Sequence, residues 1–585
     1  MEWIEREAPQ ALVDGLVSAG HDPLFARLLA LRGIGAADAG GYLNPTLSGL
    51  AAPDELPGVA AAAETILDSA SRGERAVVFG DYDCDGVCAT AILVSALAAV
   101  SRPGAEPRAF LPERLSEGYG MTAASVARML RENPGVRLIV TVDNGINSVG
   151  EVAALTERGI RVVVTDHHLP GDELPAADAL VNPKVAAPAA LGGLCGAGVA
   201  FLLANAVVNG GRARGMYSGP SVGGPLLVLA GLATVTDVMP LSGQNRIIVA
   251  EALRRFRALA PVGLKELFAR ASRSVAPALS VKDFGFVLGP RINAAGRMAS
   301  GMESLDLVLC ADRERARELA RRVDLRNVER KSVEQAMLVE ALSKVEPGAA
   351  AQVIDIPDGH PGVAGIVAAR IMERAGGDSA PVPVCVVVDG HGSARAPDGY
   401  NVRDAFASAA EALDRFGGHA AAGGCSVKEG KVDLFRGLFR EACAAQAAGM
   451  RGGAAAVRAA ALDAWVAPRD LSLEFAERLH SLEPFGEGNP EPVFGMRGVR
   501  LAEVRPLGAD GRHLSVAFRD KAVPRAIWWN RGDMVEALRS RSADAFDVVF
   551  TVETSDYLGR HAELRLVDAS PAATVQADAA RLSAL

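Results

Sequence analysis

Three apolar runs in this chain each end in acids or imidazoles. Arg75–Phe79 leads into Gly80-Asp81-Tyr82-Asp83-Cys84-Asp85-Gly86, Leu138–Val142 into Asp143-Asn144-Gly145, and Arg161–Val164 into Thr165-Asp166-His167-His168. A fourth acid, Asp237, closes the run Ala233-Thr234-Val235-Thr236. Carboxylates packed together repel one another and resist desolvation, and a divalent cation relieves both costs. Oxygen ligands mixed with one or two imidazoles suit Mn²⁺, with Mg²⁺ or Co²⁺ as alternatives; ligation poor in cysteine argues against structural zinc. Asp83, Asp85, Asp143 and Asp237 would balance two divalent ions. Two ions roughly 3.5–4 Å apart stabilise both the attacking and the leaving oxygen of an in-line displacement at phosphorus.

Each motif also has a plainer explanation. A lone Asp-x-Asp after a strand is commonly a turn or cap, a lone His-His pair a surface or satisfied core feature. Asp237 could equally end a helix and pair with a basic side chain. It is the set, in order and at run ends, that favours metal chemistry.

The elements that must position these groups are short and β-branched. The three runs read as buried parallel strands of an α/β sheet, with Ala89–Val100 and Gly150–Arg158 as crossover helices. Parallel strands align their C-terminal ends, the edge at which open α/β sheets bind ligands. The expected organisation is a small helical segment over 1–60, the first α/β domain over 61–242 and a helical connector over 243–345. A second α/β domain over 346–450 and a small β domain over 463–572 follow. In the connector, Asp312–Val345 reads as one or two long helices, and residues 245–345 lack strand signals apart from the Gly- and Pro-rich stretch near 285–300. Residues 445–462 read as a linker. Val499–Val504, Leu514–Phe518, Arg525–Trp529, Asp547–Val552 and Glu563–Val567 read as strands of a small antiparallel barrel.

Composition excludes several classes. The 585 residues are 49% hydrophobic and 22% charged, a globular balance sufficient for three to four domains. No run approaches the roughly 20 apolar residues of a membrane span, and the N-terminus carries no signal pattern, so a cytoplasmic chain is expected. The 7 cysteines are scattered, which fits reduced thiols. The net charge of −9 argues mildly against nucleic-acid binding. It is a whole-chain sum, however, to which a carboxylate-rich metal site itself contributes.

The motifs at Asp81–Asp85, Asp143–Gly145 and Asp166–His168 resemble the first three motifs of DHH phosphoesterases, and Asp237 stands where the fourth is expected. Gly289-Pro290-Arg291-Ile292-Asn293-Ala294-Ala295-Gly296-Arg297 and Pro484-Phe485-Gly486-Glu487-Gly488-Asn489-Pro490 resemble the RecJ branch. The resemblance implies two α/β lobes, DHH and DHH-associated, joined by long helices and followed by an OB-like barrel. It implies an exonuclease acting on single-stranded DNA from the 5′ end, releasing mononucleotides with two Mn²⁺ or Mg²⁺ ions, in repair and recombination. A single-strand-binding protein and a helicase are implied partners. Asp83, Asp85, Asp143, His167 and Asp237 would be metal ligands. His168 would contact the scissile phosphate or support the metal shell, and Asp81 and Asp166 would be auxiliary acids. Phe79 stands where some relatives carry a histidine, and residues 556–566 match only loosely.

The clusters Gly359–Gly365, Gly392-Ser393-Ala394-Arg395 and Gly417-Gly418-His419 resemble the DHH-associated domain, whose glycines aim backbone N–H groups at an anion. Ser393, Arg395 and His419 are candidates there, and Arg114 and Tyr119 could complete a pocket for a terminal 5′ phosphate. Arg291, Asn293 and Arg297 suit phosphate contacts, with structural ion pairs as the plainer alternative. Of Trp528 and Trp529, adjacent on a strand, one should face a base and the other the core. The rivals are a DHH-type phosphodiesterase for short oligonucleotides or cyclic dinucleotides, a Mg-dependent pyrophosphatase, and a catalytically silent scaffold.

Overall fold

A computed structural model describes residues 2–114, 116–118, 120–219, 223–272, 279–375, 381–450, 459–556 and 559–572. Two compact units emerge. One comprises residues 50–239 and 243–455, the other residues 1–49, 240–242 and 456–585.

In the first unit a five-stranded, all-parallel sheet is built in the spatial order Arg108–Phe110, Arg75–Phe79, Val136–Thr141, Arg161–Thr165, Ala179–Val181. The three strands expected from sequence are its centre, and the two short outer strands cover its edges. Numbered along the chain the order is 2-1-3-4-5, which reverses direction between Arg75–Phe79 and Val136–Thr141. Such a switch point opens a crevice at the C-terminal edge, and the Asp81–Asp85 segment and Asp143 leave the sheet there. Phe79, Ile139 and Val164 are fully buried in one core below the crevice. The crossover helix starts earlier than expected, at Cys84, so the Asp-x-Asp motif forms its N-terminus rather than a loop before it.

The run before Asp237 is a helix, Gly223–Thr236, not a strand. The stretch near 285–300 is helical too: a six-residue π-helix, Asp283–Leu288, continues into the α-helix Gly289–Met298. Its glycines allow close packing rather than turns. A Cβ on Gly289 would lie 2.3 Å from Thr236 Cγ2, and one on Gly296 would lie 2.5 Å from the Tyr82 carbonyl oxygen. The connector ends in one 31-residue helix, Arg313–Ser343, roughly 46 Å long. It packs on Val262–Ala271 and Gly289–Met298 and, further along, on Pro361–Ala375. The second sheet follows, in the order Leu413–Gly418, Ala422–Val427, His391–Arg395, Val384–Val388, Gln352–Asp355. Only its last two strands are parallel.

In the other unit, Phe494–Leu507 pairs with His513–Phe518 and with Ala545–Ser555. The ring closes through Ala526–Trp528 and His561–Pro571 as a five-stranded barrel. Phe25, Leu28 and Leu29 of the helix Pro23–Ala30 share the barrel's core with Phe494 and Phe550. The strand Glu2–Glu5 pairs in parallel with Ala459–Leu462, placing a strand at the end of the expected linker. Asn489 of the Pro-Phe-Gly motif is a hub: its Nδ2 donates to the carbonyls of Leu482 and Pro484, and its Oδ1 accepts from Arg32 and Tyr42. Among the described residues no helix is long and apolar enough to cross a membrane.

Candidate active site

Gly80 ends the first strand because nothing larger fits: a Cβ would lie 1.9 Å from Thr90 Oγ1. Asp83 then caps the helix Cys84–Val100, its Oδ1 accepting from the amides of Asp85 (2.9 Å) and Gly86 (3.0 Å). Asp85 sits in the first turn of that helix. Its two oxygens accept from Gly196 N–H at 2.7 Å and Ala197 N–H at 2.8 Å, the first amides of the 18-residue helix Gly196–Ala213. A helix N-terminus stabilises negative charge, so this second helix fixes a metal-ligand candidate in place. Sequence reasoning misses the segment Gly192-Gly193-Leu194-Cys195-Gly196. A glycine-rich run before an apolar helix is the available signal.

Asp143 has φ 61°, the left-handed region that Asp and Asn tolerate best among non-glycine residues. Backbone strain of this kind concentrates at functional sites. Asp166 is held by this chain's own donors. Its Oδ1 accepts from the amides of His167 and His168 and from His168 Nδ1 at 2.7 Å, and its Oδ2 accepts from Ile146 N–H at 3.0 Å. It therefore orients the imidazoles. His167 Nε2 faces three carboxylates, Asp143 Oδ1 at 3.1 Å, Asp85 Oδ2 at 3.6 Å and Asp237 Oδ2 at 3.7 Å.

Ligand atoms within 4.8 Å of one another fall into three sets: Asp85, His167 and Asp237; Asp81, Asp83 and Asp143; and Asp143, His167 and His168. Asp143 and His167 each belong to two of them. Asp81, expected as an auxiliary acid, lies inside a set, and its buried Oδ1 has no hydrogen-bond partner. Burial, then the neighbouring carboxylates, push the Asp81, Asp83 and Asp143 carboxyls up, and raise Asp237 to about 8. Burial lowers His167 in spite of the acids around it. It would lower His168 as well, but the bond to Asp166 overrides it and raises that imidazole to about 9. Buried carboxylates pushed up by burial and by one another, with imidazole among them and one oxygen unpartnered, fit a pair of hard divalent cations such as Mn²⁺ or Mg²⁺.

Beside the acids lies a cluster of guanidinium groups. Burial, then Arg114, lowers Arg297 to about 10 and also lowers Arg395. Arg297 donates to the Gly362 carbonyl at 3.0 Å, and Arg395 to its neighbour's carbonyl at 2.7 Å. Arg114 lies 5.2 Å from the Tyr82 ring centroid. Among the described residues none of the three has a carboxylate within ion-pair distance, while most other arginines of the unit do. The helix Pro361–Ala375 begins at the same place: a Cβ on Gly365 would lie 2.8 Å from Arg395 Nη2. Clustered guanidiniums with no ion-paired carboxylate, at a helix N-terminus, are suited to receive an anion. Ser393, two residues before Arg395, shares its face of the strand His391–Arg395.

The remaining candidates are placed differently. Arg291 is paired with Asp324 at 2.9 Å and bonded to the Val287 carbonyl, so its charge serves the connector rather than a phosphate. Asn293 Oδ1 accepts from Cys84 N–H at 2.7 Å and so braces the Asp-x-Asp loop. His419 is exposed in the turn joining Leu413–Gly418 to Ala422–Val427. Tyr119 lies outside the described residues. Trp528 is buried and Trp529 is 45% exposed.

Comparison with known proteins agrees with this geometry. The DHH family N-terminal domain matches residues 75–220, the DHHA1 domain residues 336–445 and the RecJ OB domain residues 462–568. The chain is similar to the single-stranded-DNA-specific exonuclease RecJ of Escherichia coli, with 36% identity over 84% of this chain and 86% of that protein. It also resembles the crystal structure of RecJ from Thermus thermophilus in complex with Mn²⁺, at TM-score 0.80 and 32% identity, covering 98% of this chain and 80% of that one. The Mg²⁺ complex from the same organism gives TM-score 0.74 and 30% identity, covering 98% and 79%.

Proposed function

Because the chain belongs to the RecJ family of single-stranded-DNA-specific exonucleases, we propose that it hydrolyses single-stranded DNA from the 5′ end, releasing one mononucleotide at a time. The observation that carries this reading is the adjacency of the carboxylate–imidazole cluster to three arginines that, among the described residues, have no carboxylate within ion-pair distance. Asp81, Asp83, Asp85, Asp143, His167 and Asp237 would hold two divalent ions. When bound, the ions neutralise these carboxylates, activate water and stabilise charge at the leaving oxygen. Arg114, Arg297 and Arg395, with Ser393, grip the terminal 5′ phosphate, which makes the enzyme an end-cutter. Asp166 keeps His168 charged, leaving its Nε2–H as a donor to a non-bridging phosphate oxygen. The P–O3′ bond breaks, and the shortened strand again begins with a 5′ phosphate.

The same reading divides the chain functionally at 61–242, 243–345, 346–450 and 463–572. It places the enzyme in the cytoplasm in repair and recombination, with a single-strand-binding protein and a helicase as partners. Its test is digestion of 5′- and 3′-labelled single strands with Mn²⁺, beside a duplex control. Mononucleotide release from the 5′ label alone, absent on duplex, is expected. Turnover of dinucleotides without cleavage of long strands would favour the small-substrate phosphodiesterase instead.

Two further outcomes follow from particular side chains. Arg395→Ala should raise KM for a 5′-phosphorylated strand roughly ten- to a hundred-fold, the scale of one charge-assisted contact. A 5′-hydroxyl strand should be affected far less, and equal effects on both would remove Arg395 from the terminal phosphate. Trp529, packed edge-on against His513 at 4.6 Å, is the exposed ring of the barrel pair. Trp529→Ala should weaken binding of long strands roughly ten-fold, the scale of one base stack, in a fluorescence-anisotropy titration. Unchanged binding would assign the barrel's grip to other groups.

A further inference from the structure

Phe286 is 78% exposed, the highest value of any large hydrophobic side chain among the described residues. It does not belong to a loose segment. It lies on the π-helix Asp283–Leu288, anchored by Phe284 and Leu288, both fully buried, with Phe284 against Phe256 at a centroid distance of 5.8 Å. With residues 284 and 288 pointing into the core, residue 286 must point outward. Single-turn π segments are uncommon and concentrate at functional sites.

The placement of this segment ties it to the metal centre. A Cβ on Gly285 would lie 3.5 Å from Val235 Cγ1, and Gly289 packs directly on Thr236. The next residue is Asp237, whose carboxylate faces His167. Phe286 thus stands beside a segment that is about two Cα steps, roughly 7 Å of chain, from a ligand candidate. Val238, directly after Asp237, is strained in the same neighbourhood. It is a β-branched residue at φ 54° and 66% exposed, a combination with a cost that the surrounding structure must sustain. Leu169, directly after His168, is 60% exposed. Val238 and Leu169, each adjoining a ligand candidate in sequence, and Phe286, which adjoins the glycine packed on Val235, are thus all held out into solvent. From the other end of the same continuous stretch, the helix Gly289–Met298 contributes Asn293 to the Asp-x-Asp loop and Arg297 to the anion site.

Phosphates have a destination in the arginine cluster, but a single strand also presents flat, apolar base faces. We propose that Phe286 is a substrate-positioning residue on which an unpaired nucleobase of the bound strand stacks beside the metal centre. Bases inside a duplex are already stacked on both faces and have none to offer, so such a platform favours single strands independently of how wide the groove is. Stacking on an aromatic ring tolerates any base, as an exonuclease that digests through arbitrary sequence requires.

This inference rests on the single-strand exonuclease reading, and its test separates the two. 2-Aminopurine is placed at successive positions from the 5′ phosphate of a short strand, and binding is followed by fluorescence in the Asp143→Asn background, where turnover is blocked. Quenching confined to one or two consecutive positions is expected, lost with Phe286→Ala and kept with Phe286→Trp. In the chain with Asp143 intact, Phe286→Ala should raise KM about ten-fold with a much smaller change in kcat, and Phe286→Trp should restore it. Unchanged quenching and KM in Phe286→Ala, while the parent enzyme digests single strands, would overturn this inference alone. Equal impairment of the Ala and Trp variants would reduce Phe286 to a structural role and overturn it as well. Failure of the parent enzyme to bind or digest any single strand would overturn the exonuclease reading and this inference with it.

Discussion

Asp143→Asn is expected to lower strand digestion by about a thousand-fold while leaving the metal-free protein at least as stable as the parent. Asp143 belongs to two of the three candidate ligand sets, so losing its charge would weaken both. Two-metal stabilisation of developing charge is worth several kcal/mol, and about 4 kcal/mol corresponds to about three powers of ten in rate. The choice of asparagine matters. At φ 61° an alanine would add backbone strain, whereas asparagine occupies the left-handed region as readily as aspartate. Any loss in Asp143→Asn therefore reports chemistry rather than folding. Without metal, removing one of several buried like charges relieves repulsion, so the melting temperature in chelator should hold or rise. The gain in melting temperature on adding Mn²⁺, large in the parent by mass action, should shrink. Retained activity, or an undiminished Mn²⁺ response, would remove Asp143 from the metal centre.

Gly196→Ala tests a contribution that lies outside every acidic motif. The added Cβ would stand 2.6 Å from Asp143 Cβ and 2.9 Å from its Oδ1, distances that real structures do not sustain. Either the strand end carrying Asp143 or the helix Gly196–Ala213 must move. If the helix moves, the two amide bonds to Asp85 go with it. Displacing catalytic groups by about 1 Å can cost about a hundred-fold in rate, and that loss is expected, together with weaker Mn²⁺ binding and a largely intact circular-dichroism spectrum. Gly198→Ala is the control: its Cβ would meet the tip of Leu194 at 3.1 Å, a flexible contact that can yield. Equal activity in both variants and the parent would mean that the helix start does not set the carboxylate geometry.

How much of this is legible in the sequence depends on whether the deciding interaction is local. The three central strands and the acids at their ends follow from runs of four or five residues, and parallel packing then forces those ends together. The sequence also determined that one of Trp528 and Trp529 must be buried, because a strand alternates faces; barrel closure decided that it is Trp528. Other assignments depend on partners far along the chain. Arg291 looks as suited to phosphate as Arg395, until Asp324, 33 residues later, takes its charge. Asp81 and Asp166 look equivalent as auxiliary acids. Four donors from this chain occupy Asp166, whereas one oxygen of Asp81 is left for a cation.

Glycine is the least legible residue. The Gly- and Pro-rich stretch near 285–300 reads as an exception to the lack of strand signals around it, yet Gly289 and Gly296 lie within a helix, because a missing side chain permits close approach as well as a turn. Gly196 serves Asp85 from 111 residues away. The sequence by itself determined the chemistry: which acids and imidazoles exist, and that strand ends gather them. Only the tertiary structure decided which of them face one another across the switch point, which arginines are left without an ion-paired carboxylate, and that Phe286 is held out into solvent. Each of those depends on pairing between segments that no local pattern encodes.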